Sequence, residues 1–235
     1  MTCKIYRYGT QFYLCAYKPT FVKTNSNNDV PNSNDFKLAN NLSRARSRVR
    51  ELAHCNNWEY FVTLTLDAEK VDRFDLDGSF KRISQFIRNY NKQHSCCIKY
   101  LIIPEQHKNG AWHFHGLMTG FPAKAFCKNA NGYLDWIDYS KRFGYISLSP
   151  VRDPVKCANY ISKYVTKSTG DNIDIGHHSY YCSRGLNGKE ELQTIYVDDE
   201  YIKERMFECE YVFLDTCNED ELFNYFQHIE ENGGD

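Results

Sequence analysis

The spacing of apolar and polar residues changes several times along the chain, and each change marks an element. The early stretch YRYGTQFYLCAYKPTFV alternates polar with apolar and aromatic residues, so residues 3–23 read as one or two strands. The following KTNSNNDVPNSND, rich in Asn and Ser and containing Pro31, reads as a loop or linker. Residues 36–55 (FKLANNLSRARSRVRELAHC) take up helical spacing. WEYFVTLTL, Trp58 to Leu66, is a strand with Thr63 and Thr65 on one face and Val62, Leu64 and Leu66 on the other. Residues 67–78 hold four aspartates and Gly78 and read as a loop. Ser79 to Lys92 returns to helical spacing, with Phe80, Ile83, Phe86, Ile87 and Tyr90 on one side and Ser79 as the expected N-cap. CIKYLIIPE and WHFHGLM are strands around an HKNGA turn, and GYISL is a further strand. Residues 120–140 are irregular, with Leu134, Trp136 and Ile137 as a helix start. A last clear helix runs from about Val155, after Pro154, to Ser168.

Blocks of strands and helices joined through hairpins predict an α+β domain with an antiparallel sheet. Three regions are expected. Residues 1–55 carry the N-terminal strands, the Asn/Ser-rich loop and a basic helix; 56–188 form the main domain; 189–235 form an acidic C-terminal region. No internal repeat is visible. With 42% hydrophobic residues, the chain of 235 residues can bury a real core. Most of its 18 tyrosines and 15 phenylalanines belong in strand and core packing.

Charge is unevenly placed. Residues 1–189 carry 27 Lys and Arg against 15 Asp and Glu, whereas residues 190–235 carry 2 against 15. So basic a body can neutralise phosphates and release counterions. The acidic end either competes for that basic face, contacts a partner or only aids solubility. Arg44, Arg46, Arg48 and Arg50 fall within two turns of the first helix, making it basic over a broad face suited to a DNA backbone. No apolar run is long enough for a membrane span. The N-terminus has no basic-then-apolar export signal. The ten cysteines include no CxxC pair, which argues against a zinc ribbon and for reduced thiols in the cytoplasm.

The candidate chemistry begins in YLIIPEQHKNGAWHFHGLM. His113 and His115 are two apart in a strand, so both rings point to one side of the sheet while Phe114 points to the other. Their partner strand decides whether a carboxylate joins them. A three-residue loop (Lys108, Asn109, Gly110) puts Glu105 opposite His113, with His107 co-facial near the turn as a candidate fourth ligand. A two-residue Asn109-Gly110 loop pairs Glu105 with Phe114 and removes it from that face, because one step of register flips every side chain. Two imidazoles and a carboxylate suit Mg²⁺ or Mn²⁺ engaged with a phosphate, and imidazole favours Mn²⁺ of the two.

Downstream, CANYISKYVTKS places Tyr160 and Tyr164 four apart on one helical face, with Lys163 and Lys167 beside them. Two phenols with nearby cations can attack a phosphate and hold its oxygens.

FVTLTL, HFHG and YISKYVTK, in that order, resemble the HUH family of replication initiators. More narrowly they are similar to the replication-associated proteins of small single-stranded DNA phages and related mobile elements, some of which carry a doubled tyrosine. The similarity covers roughly Trp58 to Leu186 and includes the later YYCSRGL. It implies a five-stranded antiparallel sheet with helices packed on it and the HxH strand at its centre. It implies His113, His115 and Glu105 as metal ligands, Tyr160 and Tyr164 as the first and second tyrosines, and Lys163 as the helix lysine. The implied activity is nicking of single-stranded origin DNA by Tyr160, leaving a 3′-hydroxyl primer and a 5′-phosphotyrosine, followed by rejoining.

Thr63 and Thr65, on the same expected face, are taken as further DNA contacts. No GxxxxGK loop or helicase module is present, so a host helicase and polymerase, in a bacterial cytoplasm, are the expected partners. The competing readings are an HUH relaxase or transposase, a non-catalytic single-stranded DNA-binding protein, and a water-using metallohydrolase.

Overall fold

The structure is a computed structural model and describes residues 1–18, 33–167, 178–208 and 212–232. Its elements, in chain order, begin with strands β1 (Thr2–Tyr8) and β2 (Gln11–Tyr17) and helix α1 (Ser33–His54). There follow β3 (Tyr60–Thr65), α2 (Leu76–His94), β4 (Lys99–Gln106) and β5 (Trp112–Thr119). Next come the short β6 (Cys127–Lys128), β7 (Leu134–Asp135) and α3 (Ile137–Ser140), then β8 (Ile146–Pro150), α4 (Pro154–Lys167) and β9 (Tyr181–Cys182). The chain ends with β10 (Glu190–Tyr196), α5 (Asp199–Arg205), β11 (Phe207–Glu208), β12 (Val212–Cys217) and α6 (Glu219–Asn232). The class is α+β and every strand pair is antiparallel.

Two compact units divide the chain, one of residues 31–186 and one of residues 1–30 with 187–235. This differs from the three regions read from sequence. β1 and β2 pair with β10 and β12, so the two chain ends share one sheet, while the basic helix α1 belongs with the central residues.

In the larger unit the sheet order is β8-β3-β5-β4-β9, which puts the HxH strand β5 in the middle. The strand period of two separates its faces. Val62, Leu64, Ile102 and Phe114 point to the side covered by Phe80, Ile83, Phe86 and Ile87 of α2 and by Trp136 and Tyr139. Leu101, Ile103 and Leu117 point to the other side, under Val49 and Leu52 of α1 and Ala158, Ile161 and Val165 of α4. Both faces are therefore buried over most of their area, and the polar residues of β3, β4 and β5 gather beside α4.

Helix α2 begins earlier than its apolar period suggests. Asp75, not Ser79, is the N-cap, its side chain accepting from the Gly78 N–H at 2.9 Å. Gly78 is required there, because a Cβ would lie 1.9 Å from the Asp75 carboxylate. Ser79 instead sits in the first turn and donates to the Asp72 carbonyl at 2.7 Å. The capping aspartate was hidden among the other aspartates of that loop.

In the smaller unit the sheet order is β10-β1-β2-β12-β11. Cys3, Ile5, Phe12, Leu14 and Ala16 pack with Val197, Ile202, Met206 and Leu222 to form its core. The acidic C-terminal region is thus folded, not a solvated tail. Lys4 pairs with Glu191 at 2.8 Å, Arg7 with Glu190 and Lys18 with Glu208 at 2.6 Å, so part of its charge is matched by the N-terminal strands. These exposed pairs contribute little stability. Every described cysteine is a free thiol. Among the described residues no helix is long and apolar enough to cross a membrane.

Candidate active site

The β4–β5 turn fixes the site. The Gly110 N–H donates to the His107 carbonyl at 2.8 Å and the His107 N–H to the Ala111 carbonyl at 2.9 Å. Lys108, Asn109 and Gly110 therefore form a three-residue loop, with Gly110 at φ +82°. Asn109 steadies it by accepting the Ala111 N–H at 3.1 Å. The register that follows pairs Glu105 with His113 and Ile103 with His115, which brings the carboxylate to the imidazole face. The alternative two-residue loop is not formed.

β3 supplies the next layer. Thr65 lies opposite His113 and Thr63 opposite His115. The Thr63 hydroxyl hydrogen-bonds His115 Nδ1 at 3.2 Å, and that of Thr65 hydrogen-bonds His113 Nδ1 at 3.3 Å. Both rings are thereby held by one nitrogen, which turns Nε2 toward the pocket. Thr63 and Thr65 are consequently engaged with the histidines; the sequence reading had assigned them to DNA.

His115 Nε2 and Glu105 Oε2 are 2.6 Å apart. The exposed His107 ring stacks on His113 with centroids 3.8 Å apart. Partial burial, with the neighbouring His107 and His115 rings adding to it, lowers the pKa of His113, so its imidazole stays neutral to lower pH than usual. Glu105, His113 and His115 thus share one face, but among the described residues no three His, Cys, Asp or Glu side chains converge as a finished metal cage. The Glu105–His115 contact holds a carboxylate oxygen and an imidazole nitrogen within the span that two ligands of one cation occupy. The donor types and the shared face fit a divalent cation, and convergence requires Glu105 to exchange this contact for the ion.

Helix α4 lies over the same face. Tyr164, 9% exposed, stacks on His115 with ring centroids 4.3 Å apart. Its hydroxyl is 2.8 Å from that of Tyr160, whose side chain is 50% exposed. Burial, then the hydrogen bond with Tyr160, pushes the Tyr164 phenol well above its ordinary pKa, so it holds its proton. Phe61 supports both phenols, its ring 5.6 Å from Tyr160 and 6.3 Å from Tyr164. Sequence reading missed Phe61, although its place two residues before Thr63 puts it on the same face of β3. Lys163 is exposed, one helical turn beyond Tyr160. The side chain of Lys167 lies outside the described residues.

The four arginines of α1 divide into two rows. Arg46, Arg50 and His54 are successive i, i+4 neighbours, and His54 reaches Asn159 of α4 at 3.4 Å. Arg48 turns away and pairs with Glu51. Arg44 is exposed on that far side. The Nε atoms of Arg46 and Arg50 are buried and have no hydrogen-bond partner among the described residues.

Residues 59–169 match the model of a family of replication-associated proteins, the ORF2 type. The matched span is just under half of the chain. It contains Glu105, His107, His113, His115, Tyr160 and Tyr164 and leaves out α1 and its arginines. The match supports a replication initiator that acts on DNA. Comparison with curated proteins and with solved structures returned no match.

Proposed function

We propose that this protein starts rolling-circle replication by nicking single-stranded origin DNA with Tyr160 and holding the cut 5′ end as a phosphotyrosine. One observation carries the reading. An unbroken run of contacts joins Glu105 through His115 to the Tyr164 ring, and from the Tyr164 hydroxyl to that of Tyr160. The match to a replication-associated family adds its weight.

Tyr160 is the exposed member of the pair and the one a phosphate can reach. As its oxygen bonds to phosphorus, the phenol proton leaves, and the P–O3′ bond breaks. The departing 3′ oxygen takes up a proton and becomes the primer hydroxyl. Tyr164, protonated and 2.8 Å away, donates a hydrogen bond to the Tyr160 oxygen while that oxygen carries negative charge. Because the bond exchange conserves a phosphodiester, no nucleotide hydrolysis is needed, and the same step reversed rejoins the strand. Glu105, His113 and His115 would hold Mg²⁺ or Mn²⁺, with His107 beside them. When bound, the cation supplies Lewis-acid neutralisation of the scissile phosphate. Thr63 and Thr65 fix the imidazole planes for that purpose. Lys163 adds positive charge on the exposed side of α4. A host helicase and polymerase would open and copy the strand.

The test is incubation of the protein with an end-labelled random single-stranded DNA library and Mn²⁺, followed by a denaturing gel. A protein-linked band and a 3′ end that a polymerase extends are expected. Retention of DNA with no adduct would leave only a binding protein. Free 5′-phosphate ends, produced equally by Tyr160→Phe, would make it a hydrolase.

A further inference from the structure

The chain between β5 and β8 is far longer than a turn requires, and long ordered connections of this kind commonly carry binding functions. It folds back as the β6–β7 hairpin and α3, anchored by the fully buried Trp136 and Tyr139. Between this wall and the end of β3 lies a cavity of about 460 Å³. Its lining includes Thr65, Asp67, Lys70, Asn129, Asp135 and Tyr145. The volume falls within the roughly 300–1,000 Å³ of small-ligand sites, room for a nucleobase and its sugar. Thr65 connects this cavity to the candidate active site, since its hydroxyl hydrogen-bonds His113.

The lining chemistry selects the ligand. Lys70 is committed to Asp67 at 3.2 Å and to the Ser140 carbonyl at 3.1 Å. Asp67 also accepts the Glu69 N–H at 3.0 Å. Asp135 accepts the Ser140 hydroxyl through one oxygen, leaving its other oxygen to accept from a ligand. With its cation already matched, this lining repels a phosphate and attracts a neutral hydrogen-bond donor. Tyr145, half-exposed at the rim, offers a ring for stacking. The backbone brings that ring into place because Gly144, at φ +142°, presses on β3 where a Cβ would lie 2.4 Å from the Thr65 carbonyl.

We infer that this cavity receives one base of the single strand close to the scissile phosphate, and that it selects a base bearing an exocyclic amine, cytosine, adenine or guanine, over thymine. The base stacks on Tyr145 and donates its amino group to Asp135. The inference rests on the nicking function proposed above and names how that site would choose its position on a strand.

The experiment separates the two. The Tyr160→Phe protein, with the proposed nucleophile removed and the cavity intact, is used to retain a random single-stranded DNA library at equilibrium, and the retained strands are sequenced. One position should disfavour thymine by about tenfold, the size of one base–aromatic stack. Adding Asp135→Asn should admit thymine there, and adding Tyr145→Ala should flatten that position while leaving the others unchanged. Thermal melting verifies that both surface variants fold. A library with no base preference, or a preference untouched by both substitutions, overturns the inference even if the wild-type protein forms adducts. A preference lost in the variants upholds it even if no adduct is ever found.

Discussion

The hydroxyls of Tyr160 and Tyr164 stand 2.8 Å apart on successive turns of α4, one ring open to solvent and the other covered and stacked on His115. This inequality assigns them different work. Tyr160→Phe should abolish the protein–DNA adduct. Tyr164→Phe should leave an adduct but slow its formation about 10²-fold, the cost of removing one donor to a developing oxyanion. Single-turnover adduct formation measures both. An adduct that persists in Tyr160→Phe and disappears in Tyr164→Phe would reverse the two roles.

Thr63 and Thr65 hold the imidazoles through Nδ1 and touch the metal chemistry only through them. Replacing either with Val keeps the shape and removes the hydrogen bond. Mn²⁺ affinity, read by calorimetric titration, should fall roughly 10-fold or more in each variant. Ser at either position retains the hydroxyl and should restore most of it. A loss that Ser does not restore would point to packing instead of ring orientation.

Much of this site was legible in the sequence because a β-hairpin is a short-range object. The turn residues Lys108 to Gly110 decide the register, and the register decides which of Glu105 and Pro104 shares a face with His113. The doubled tyrosine was legible for the same reason, as a helix spaces residues by a local rule. What escaped was non-local. No local pattern in β1 says that it will pair with β10, nearly the whole chain away. The acidic composition of residues 190–235 masked strands whose apolar partners lie at the other terminus. Thr63 and Thr65 looked like DNA contacts because their hydroxyls are polar and co-facial; only the β3–β5 pairing reveals that the histidines use them first.

Two glycines of the hairpin should respond differently to alanine. At Gly110 a Cβ meets nothing closer than 3.7 Å, so the cost is the positive φ alone, about 1 kcal/mol. At Gly116, next to His115, a Cβ would lie 2.7 Å from the Leu101 carbonyl oxygen and from the Ile102 side chain. Backbone cannot yield as a side chain does, so Gly116→Ala should cost more, about 2–3 kcal/mol, and disturb the β4–β5 spacing that sets Glu105 against His115. Urea unfolding compares the two; equal costs would mean that the sheet relaxes around Gly116.

The arginines of α1 allow a last separation. A buried guanidinium N–H without an acceptor is costly, and Arg46 and Arg50 each carry one. Both lie in the row that leads through His54 to Asn159 on α4, the helix that also bears Tyr160. A strand joined to Tyr160 and passing over α4 would bring phosphates to this row, whereas Arg48 already has Glu51. Each of Arg46→Ala and Arg50→Ala should therefore weaken single-strand binding uniformly across sequences and reduce the slope of log K against log salt by about 0.7 per lost phosphate contact. Arg48→Ala should change that slope little. Salt titration of fluorescence anisotropy on a labelled single strand reads all three. Equal slopes for the three variants would show that α1 acts as a diffuse basic surface, in which the sequence's four arginines count alike and their division into two rows has no consequence for DNA.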